Sequence, residues 1–264
     1  MNNILDIIVK CRLERIAEAK RRVPIEQLRS ISAKKKPHRS FRGNLLLRKG
    51  TKIIAELKQA SPSQGLFGID YDIGSIVKEY ETGGSAAISV LSEPDFFRGS
   101  LNDLVCAAAN TDLPLLRKDF ILDSYQIEES AAFGASAILL IGQILSIDQV
   151  SELASLAQLK NMDIVFEIGQ EKDLDLLKAL PKGTLAGINN RDLKSFDIDL
   201  ERGREYADTV RGMGYCPIIM SGIRSRSDIE FYQDKADLFL IGESLIRSKN
   251  RIDFLRSLSG ENVR

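Results

Sequence analysis

Glu56 and Lys58 stand two residues apart at the end of the apolar run IIAEL, and the period of a strand directs both side chains to one face. A carboxylate and an ammonium leaving a strand end together can hold, donate or accept a proton. Two more groups of this kind follow similar runs: Lys118 after LPLLR and Glu167 closing IVFE. The chain has a single histidine, His38, in a segment rich in Lys and Arg, so any acid–base work falls to lysine and carboxylate. Burial would depress a lysine pKa and raise a carboxylate pKa, while opposite charges nearby would counter both shifts. Taken alone, the Glu56/Lys58 pair fits a surface ion pair beside an ordinary turn, which is worth little. Four such groups on the first, third and fifth of a series of similar units are harder to assign to chance.

The elements that must position them begin at Thr51. From there short β-rich apolar runs alternate with longer helical segments, the pattern of βα units and a parallel sheet. Strands are expected at 53–57, 86–91, 113–117, 137–141, 164–167, 185–188, 217–220 and 238–241, with helices at 73–82, 101–109, 124–133, 147–159, 171–180, 200–210, 225–232 and 244–258. AILLI and LFLI are apolar throughout rather than alternating, as strands covered on both faces should be. Eight units without a break predict a closed (β/α)8 TIM barrel, α/β in class, and 264 residues suit one such domain, with 1–50 as an N-terminal helical extension. A doubly wound open sheet is the alternative, and the lack of GxGxxG after the first strand counts against its dinucleotide-binding form.

Barrel active sites lie at the carboxyl ends of the strands. Those ends carry Glu56 and Lys58, Lys118-Asp119, Glu167, Asn189-Asn190-Arg191, Ser221-Gly222 and Gly242. Small residues in MSGI and LIGESL let backbone amides approach an anion, and a helix starting near Glu243 would add its positive end, the usual phosphate site of barrels. The carboxylate of Glu243 opposes that idea unless its side chain lies outward.

The totals exclude other classes. No apolar run reaches the ~18–20 residues of a membrane span, and MNNILDIIVK lacks the form of a secretory signal, so a cytoplasmic protein without membrane contact is expected. Cys11, Cys106 and Cys216 lack the paired spacing of a zinc site or a disulfide framework and read as buried packing. Residues 1–49 hold fourteen of the 37 basic groups and four of the 37 acidic ones. Such a segment can bind nucleic acid, but Ile4, Ile7, Ile8 and Cys11 at helical spacing favour a basic helix, 2–22, lying on an acidic body. A short helix over 25–30 and a basic linker, KKKPHRSFRG, would follow.

AELKQASPSQG, VLSEPDFFRGSLNDL, LLRKDFILDSYQI, GINNRDL, MSGI and LIGESL, in this order and spacing, closely resemble the indole-3-glycerol phosphate synthase family over essentially the whole chain. The resemblance implies a carboxy-lyase of tryptophan biosynthesis that closes the pyrrole ring of 1-(2-carboxyphenylamino)-1-deoxyribulose 5-phosphate with loss of carbon dioxide and water. It implies no cofactor and no metal, and a small-molecule substrate handled by a monomer or weak oligomer. On matching positions it makes Lys118 the general acid and Glu167 the carboxylate that assists proton removal. Lys58 becomes a second cation on the substrate, and Glu56 the group holding the lysines. Asn189, Arg191 and Ser61 become polar contacts; Ser221, Gly222, Gly242 and the amide of Glu243 the phosphate region. Pro62, Phe97, Phe120 and Leu139 become the apolar wall. The chain departs from the family at Met220, where Glu is usual, and at Gly169, where His is common. Two rival readings are another phosphosugar barrel such as phosphoribosylanthranilate isomerase, whose Cys/Asp pair has no counterpart here, and a non-catalytic binding protein on the same barrel.

Overall fold

Each apolar run pairs in parallel with the next, and the last returns to the first. The computed structural model describes residues 4–34, 39–192 and 195–260; His38 and residues 35–37 of the expected linker lie outside them. Strands β1 (Lys52–Leu57), β4 (Ala87–Leu91), β5 (Leu115–Lys118), β6 (Ala137–Ile141), β7 (Asp163–Ile168), β8 (Leu185–Asn189), β9 (Cys216–Met220) and β10 (Leu238–Ile241) form a closed barrel in chain order. Closure is made by β1, which pairs with both β4 and β10. Between them run α4 (Ile73–Thr82), α5 (Leu101–Asn110), α6 (Ser124–Phe133), α7 (Ile147–Leu159), α8 (Asp173–Leu177), α9 (Leu200–Gly212) and α10 (Arg226–Glu230), with α11 (Glu243–Ile246) and α12 (Arg251–Ser259) after β10. Sequence-local caps start the helices: Asp123 and Gln126 form a capping box on α6, and Ser146 and Gln149 another on α7.

Alternate strand residues divide between two cores. Ile54, Leu116, Leu139, Val165, Ile218 and Leu240 fill the barrel interior. Ala55, Ile88, Val90, Leu140, Phe166 and Phe239 face the helices. Both faces are therefore dry, which is why the runs are apolar without alternation.

The extension is more closely built into the barrel than a linker-connected arm. Helix α1 (Ile4–Arg22) lies against the carboxyl-terminal mouth and buries Leu5, Ile8, Arg12 and Ile16. This corrects the expected apolar face, since Ile7 is 41% exposed and Cys11 only half-buried. All three cysteines are free and half-buried rather than fully packed. The basic helix meets acidic partners on the body: Arg12 with Asp119 (2.7 Å), Arg15 with Asp95 (2.6 Å) and Lys20 with Asp123 (2.7 Å). From α2 (Ile25–Ala33), Arg29 reaches Glu128 at 3.0 Å.

Part of the expected linker is a helix. α3 (Phe41–Leu47) begins at Ser40, whose hydroxyl accepts from the Gly43 amide and donates to Asp163, and it places Phe41 and Leu45, both fully buried, under the barrel's amino end. Asn44 donates to the Ala86 carbonyl and Arg42 to that of Gly183, both just before strands. The run of charges around it hid FRGNLLL, whose apolar face only the open base of a barrel can bury.

Two other differences touch the mouth. The SPSQG turn is the tip of a small antiparallel hairpin, β2 (Ala60–Ser61) with β3 (Gly65–Leu66). The single helix expected over 244–258 is two, because Asn250 leaves helical geometry and caps α12 through the Asp253 amide at 3.1 Å.

Candidate active site

Period-2 geometry delivers the chemistry. Glu56 on β1, Lys118 on β5, Glu167 on β7 and Asn189 on β8 all point inward at the top of the barrel, and Lys58 follows one residue beyond β1. The neighbours of Lys118 are directed elsewhere: Arg117, fully buried, binds Glu129 (3.1 Å) and Asp119 (3.0 Å). Asp119 is further held by Arg12 and by the Ser92 hydroxyl (2.6 Å). This ion cluster pins the strand end, so the lysine between its members is aimed rather than free.

Glu56 joins the two lysines. Its Oε1 lies 2.7 Å from Lys58 Nζ and its Oε2 3.1 Å from Lys118 Nζ. Burial alone would raise the Glu56 carboxyl, but the charges and hydrogen bonds of Lys118 and Lys58 outweigh it and hold it at about 2. Burial pulls the Lys118 ammonium down, yet Glu56 and Glu167 overcome this and leave it above the ordinary lysine value. Glu167 goes the other way: burial raises it, and neither Lys118 nor a 3.1 Å hydrogen bond from Asn189 Nδ2 fully offsets that. The site thus contains a protonated lysine, a fully ionised carboxylate beside it, and a second carboxylate disposed to take up a proton.

Asn189 has its amide orientation set by its neighbours. Its Oδ1 accepts from the Ser221 hydroxyl (2.8 Å) and the Arg191 amide (3.1 Å) while Nδ2 serves Glu167. Beyond β9 the chain turns through Ser221 (φ 67°) and Gly222 (φ 82°). A left-handed serine is strained; the Ser221 carbonyl, accepting from Asn190 Nδ2 at 2.8 Å, helps hold it.

Gly242 is required by close approach. A Cβ there would lie 2.2 Å from Glu56 Oε1 and 3.1 Å from Lys58 Nζ. Gly242→Ala is expected to push the carboxylate off the lysines and lower kcat/KM by about tenfold to a hundredfold. Steady-state kinetics, with a thermal melt to confirm folding, check it.

A single cavity of about 440 Å³ is lined by Glu56, Lys58, Ser61, Pro62, Phe97, Lys118, Phe120, Leu139, Glu167, Asn189, Arg191, Ser221, Gly222, Gly242 and Glu243, whereas Asn190, also at a strand end, is buried behind it on the Ser221 carbonyl and the Tyr232 hydroxyl. Phe97 and Phe120 stack at a tilt, centroids 6.2 Å apart, and Leu139 lies at the floor. Pro62 is exposed on the hairpin tip, so it belongs to the rim rather than the wall. Glu243 is drawn toward Arg191 (3.8 Å) and Arg247 (3.6 Å). The expected helix end behind it is one turn, too short for much of a dipole, so free amides rather than a macrodipole are what that segment offers.

Sequence reasoning missed other lining residues. Ile4, Leu5 and Ile8 close the cavity from the extension, and Arg224 and Arg247 add cations to the rim. Glu93, whose carboxylate accepts the amides of Asp95, Phe96 and Phe97 at 2.8–3.0 Å, folds the loop that presents Phe97. The SEPDFF stretch is a readable signal for such a carboxylate-bound turn. At the two departures the surrounding space is filled. Met220 packs its sulfur where a Cβ on Gly187 would be 2.5 Å away, and Gln143 occupies the space beside Gly169, 2.9 Å from a Cβ there. Among the described residues, no group of three or more His, Cys, Asp or Glu is placed to hold a metal ion.

Fold and site together define a (β/α)8 barrel whose mouth gathers two lysines and two glutamates in one cavity. A family model described as indole-3-glycerol phosphate synthase matches residues 5–258. An indole-3-glycerol phosphate synthase of Desulfosudis oleivorans is 42% identical over 98% of this chain and 99% of its own. One from Legionella pneumophila (strain Paris) is 40% identical over 95% and 96%. The chain belongs to the indole-3-glycerol phosphate synthase family, carboxy-lyases of tryptophan biosynthesis. The solved tryptophan synthase alpha subunit of Legionella pneumophila shares the fold alone, with TM-score 0.61 at 10% identity over 83% of this chain and 95% of that one.

Proposed function

We propose that this cavity closes the pyrrole ring of 1-(2-carboxyphenylamino)-1-deoxyribulose 5-phosphate, with Lys118 as the acid. The observation that carries the assignment is the Glu56 bridge, which keeps Lys118 protonated at neutral pH and fixed in position. The Lys118 ammonium donates to the ribulose carbonyl oxygen as the aryl carbon attacks; the hydroxyl so formed leaves as water with a second proton, from Lys58. The two amines are recharged by the proton that Glu167 takes from the substrate and by one from solvent, while Glu56 stays ionised and holds both lysines. Lys58, on the other oxygen of Glu56, contacts the substrate as a second cation. Carbon dioxide leaves more readily from a water-poor pocket, and Phe97, Phe120, Leu139 and Ile8 supply one around the aromatic ring. Glu167, already raised by burial, takes the proton lost as the ring aromatises, and Asn189 keeps it in place. Asn189, Arg191 and Ser61 orient the sugar hydroxyls and the anthranilate end. Amides of Ser221, Gly222, Gly242 and Glu243 hold the phosphate, and that remote binding folds the substrate toward closure.

The protein acts as one folding unit in the cytoplasm, as a monomer or weak oligomer, on a small molecule and without nucleic acid. Two features support this: Phe41 and Leu45 of the extension belong to the barrel core, and Arg12, Arg15, Lys20 and Arg29 of the extension pair with carboxylates of the body. No described helix is long and apolar enough to cross a membrane. Incubating the purified protein with the substrate should produce indole fluorescence, easily seen because the chain has no Trp. Absence of product, with turnover of phosphoribosylanthranilate instead, would overturn the reading.

A further inference from the structure

We propose that Arg224 grips the substrate phosphate and supplies the positive charge that the other cations of the mouth have already committed. The proposal takes the substrate's phosphate from the ring-closure reading, but the residue's role requires only that a phosphate occupies this end of the cavity.

Arg224 lies three residues after Ser221 on the loop leaving β9 and lines the same cavity as Ser221, Gly222, Gly242 and Ser244. Its backbone is fixed: Asp228 Oδ2 accepts the amides of Arg224 and Ser225, each at 2.8 Å. The side chain therefore departs from a set point on the rim. Its guanidinium is exposed and makes no hydrogen bond or ion pair with another described residue.

Among the described residues, every other cation lining the cavity has a carboxylate. Lys58 and Lys118 share Glu56, and Arg191 and Arg247 share Glu243. Asp119, also at the edge, is held by Arg12 and Arg117. A sugar phosphate brings close to two negative charges at pH 7. The one-turn α11 supplies little dipole against them, and Glu243 adds a carboxylate of the same sign. Arg191 and Arg247 outnumber the Glu243 they share by one charge, which leaves a phosphate of close to two about half neutralised. The guanidinium of Arg224, three residues from the Ser221-Gly222 turn, supplies the second positive charge, and its planar fork matches two phosphate oxygens at once.

The test compares wild type with Arg224→Gln and Arg224→Lys by steady-state kinetics, and by calorimetric titration with inorganic phosphate. Arg224→Gln should raise KM for the carboxyphenylamino-deoxyribulose phosphate about tenfold or more, with a much smaller effect on kcat, and weaken inorganic phosphate in parallel. Arg224→Lys should recover part of both losses, which a purely structural role would not require. An unchanged KM and phosphate affinity in folded Arg224→Gln overturns the proposal, as does failure of wild type to bind phosphate. If wild type binds phosphate but turns over no substrate, the ring-closure reading fails while the phosphate titration still decides the role of Arg224.

Discussion

Lys118→Ala is expected to lower kcat by about 10²–10⁴-fold, the range set by loss of a positioned acid. The loss should fall on kcat more than on KM, because the ammonium acts on charge that develops as the carbonyl is attacked. Removing the side chain also takes one of two cations from Glu56, leaving Lys58 at 2.7 Å to hold the carboxylate ionised. The variant should therefore fold, and a melt close to wild type would separate lost chemistry from lost structure. Undiminished turnover would remove Lys118 from the acid's role. Lys118→Arg makes a second test: it keeps the charge, but a guanidinium is a far poorer proton donor, so kcat should stay low while the melt is preserved.

Glu56→Gln should damage both activity and stability. It leaves two largely buried ammonium groups without their shared carboxylate, and breaking such a pair costs about 3–5 kcal/mol. Chemical denaturation reads that loss. Glu56 and Glu167 are what raise Lys118 above its ordinary value against burial. Without Glu56, burial prevails over the single remaining carboxylate, and the alkaline limb of the kcat/KM profile should move toward lower pH.

The stability of the wild type has a matching pH dependence. The carboxyl of Glu56 is lowered in the folded state from 4.5 to about 2, so its contribution is complete above about pH 4.5 and lost as pH falls toward 2. That contribution is about 3 kcal/mol, from 1.36 kcal/mol per unit. Lys118 has the opposite sign, contributing stability below the ordinary lysine pKa and losing it as pH rises through its elevated folded value. Glu56→Gln should flatten the acid side of the curve; an acid limb as steep as that of wild type would disprove the account.

Much of this was legible in the residues. Eight uninterrupted apolar runs can be buried on both faces only in a covered parallel sheet, and their regular alternation with helical segments closes that sheet into a barrel. Once the strand ends are known, Glu56, Lys118, Glu167 and Asn189 must converge, because strand period and barrel closure leave them no other direction. The polar types at those ends therefore predicted lysine–carboxylate chemistry without a structure.

What the tertiary structure alone decided depends on through-space distances between residues far apart in the chain. Local pattern does not say that one carboxylate would span two lysines, or that burial would raise Glu167 while lysine charges carried Glu56 the other way. Nor does it say that FRGNLLL is a helix, since its apolar face gains burial only beneath a closed barrel. The split of the last helix at Asn250 is a balance between helix continuation and a local cap that packing settles. Glu56 and Lys58 began as a pair that a solvated surface could equally have carried. The fold makes them half of a site because Lys118, sixty-two residues beyond Glu56 in sequence, stands 3.1 Å from its carboxylate in space.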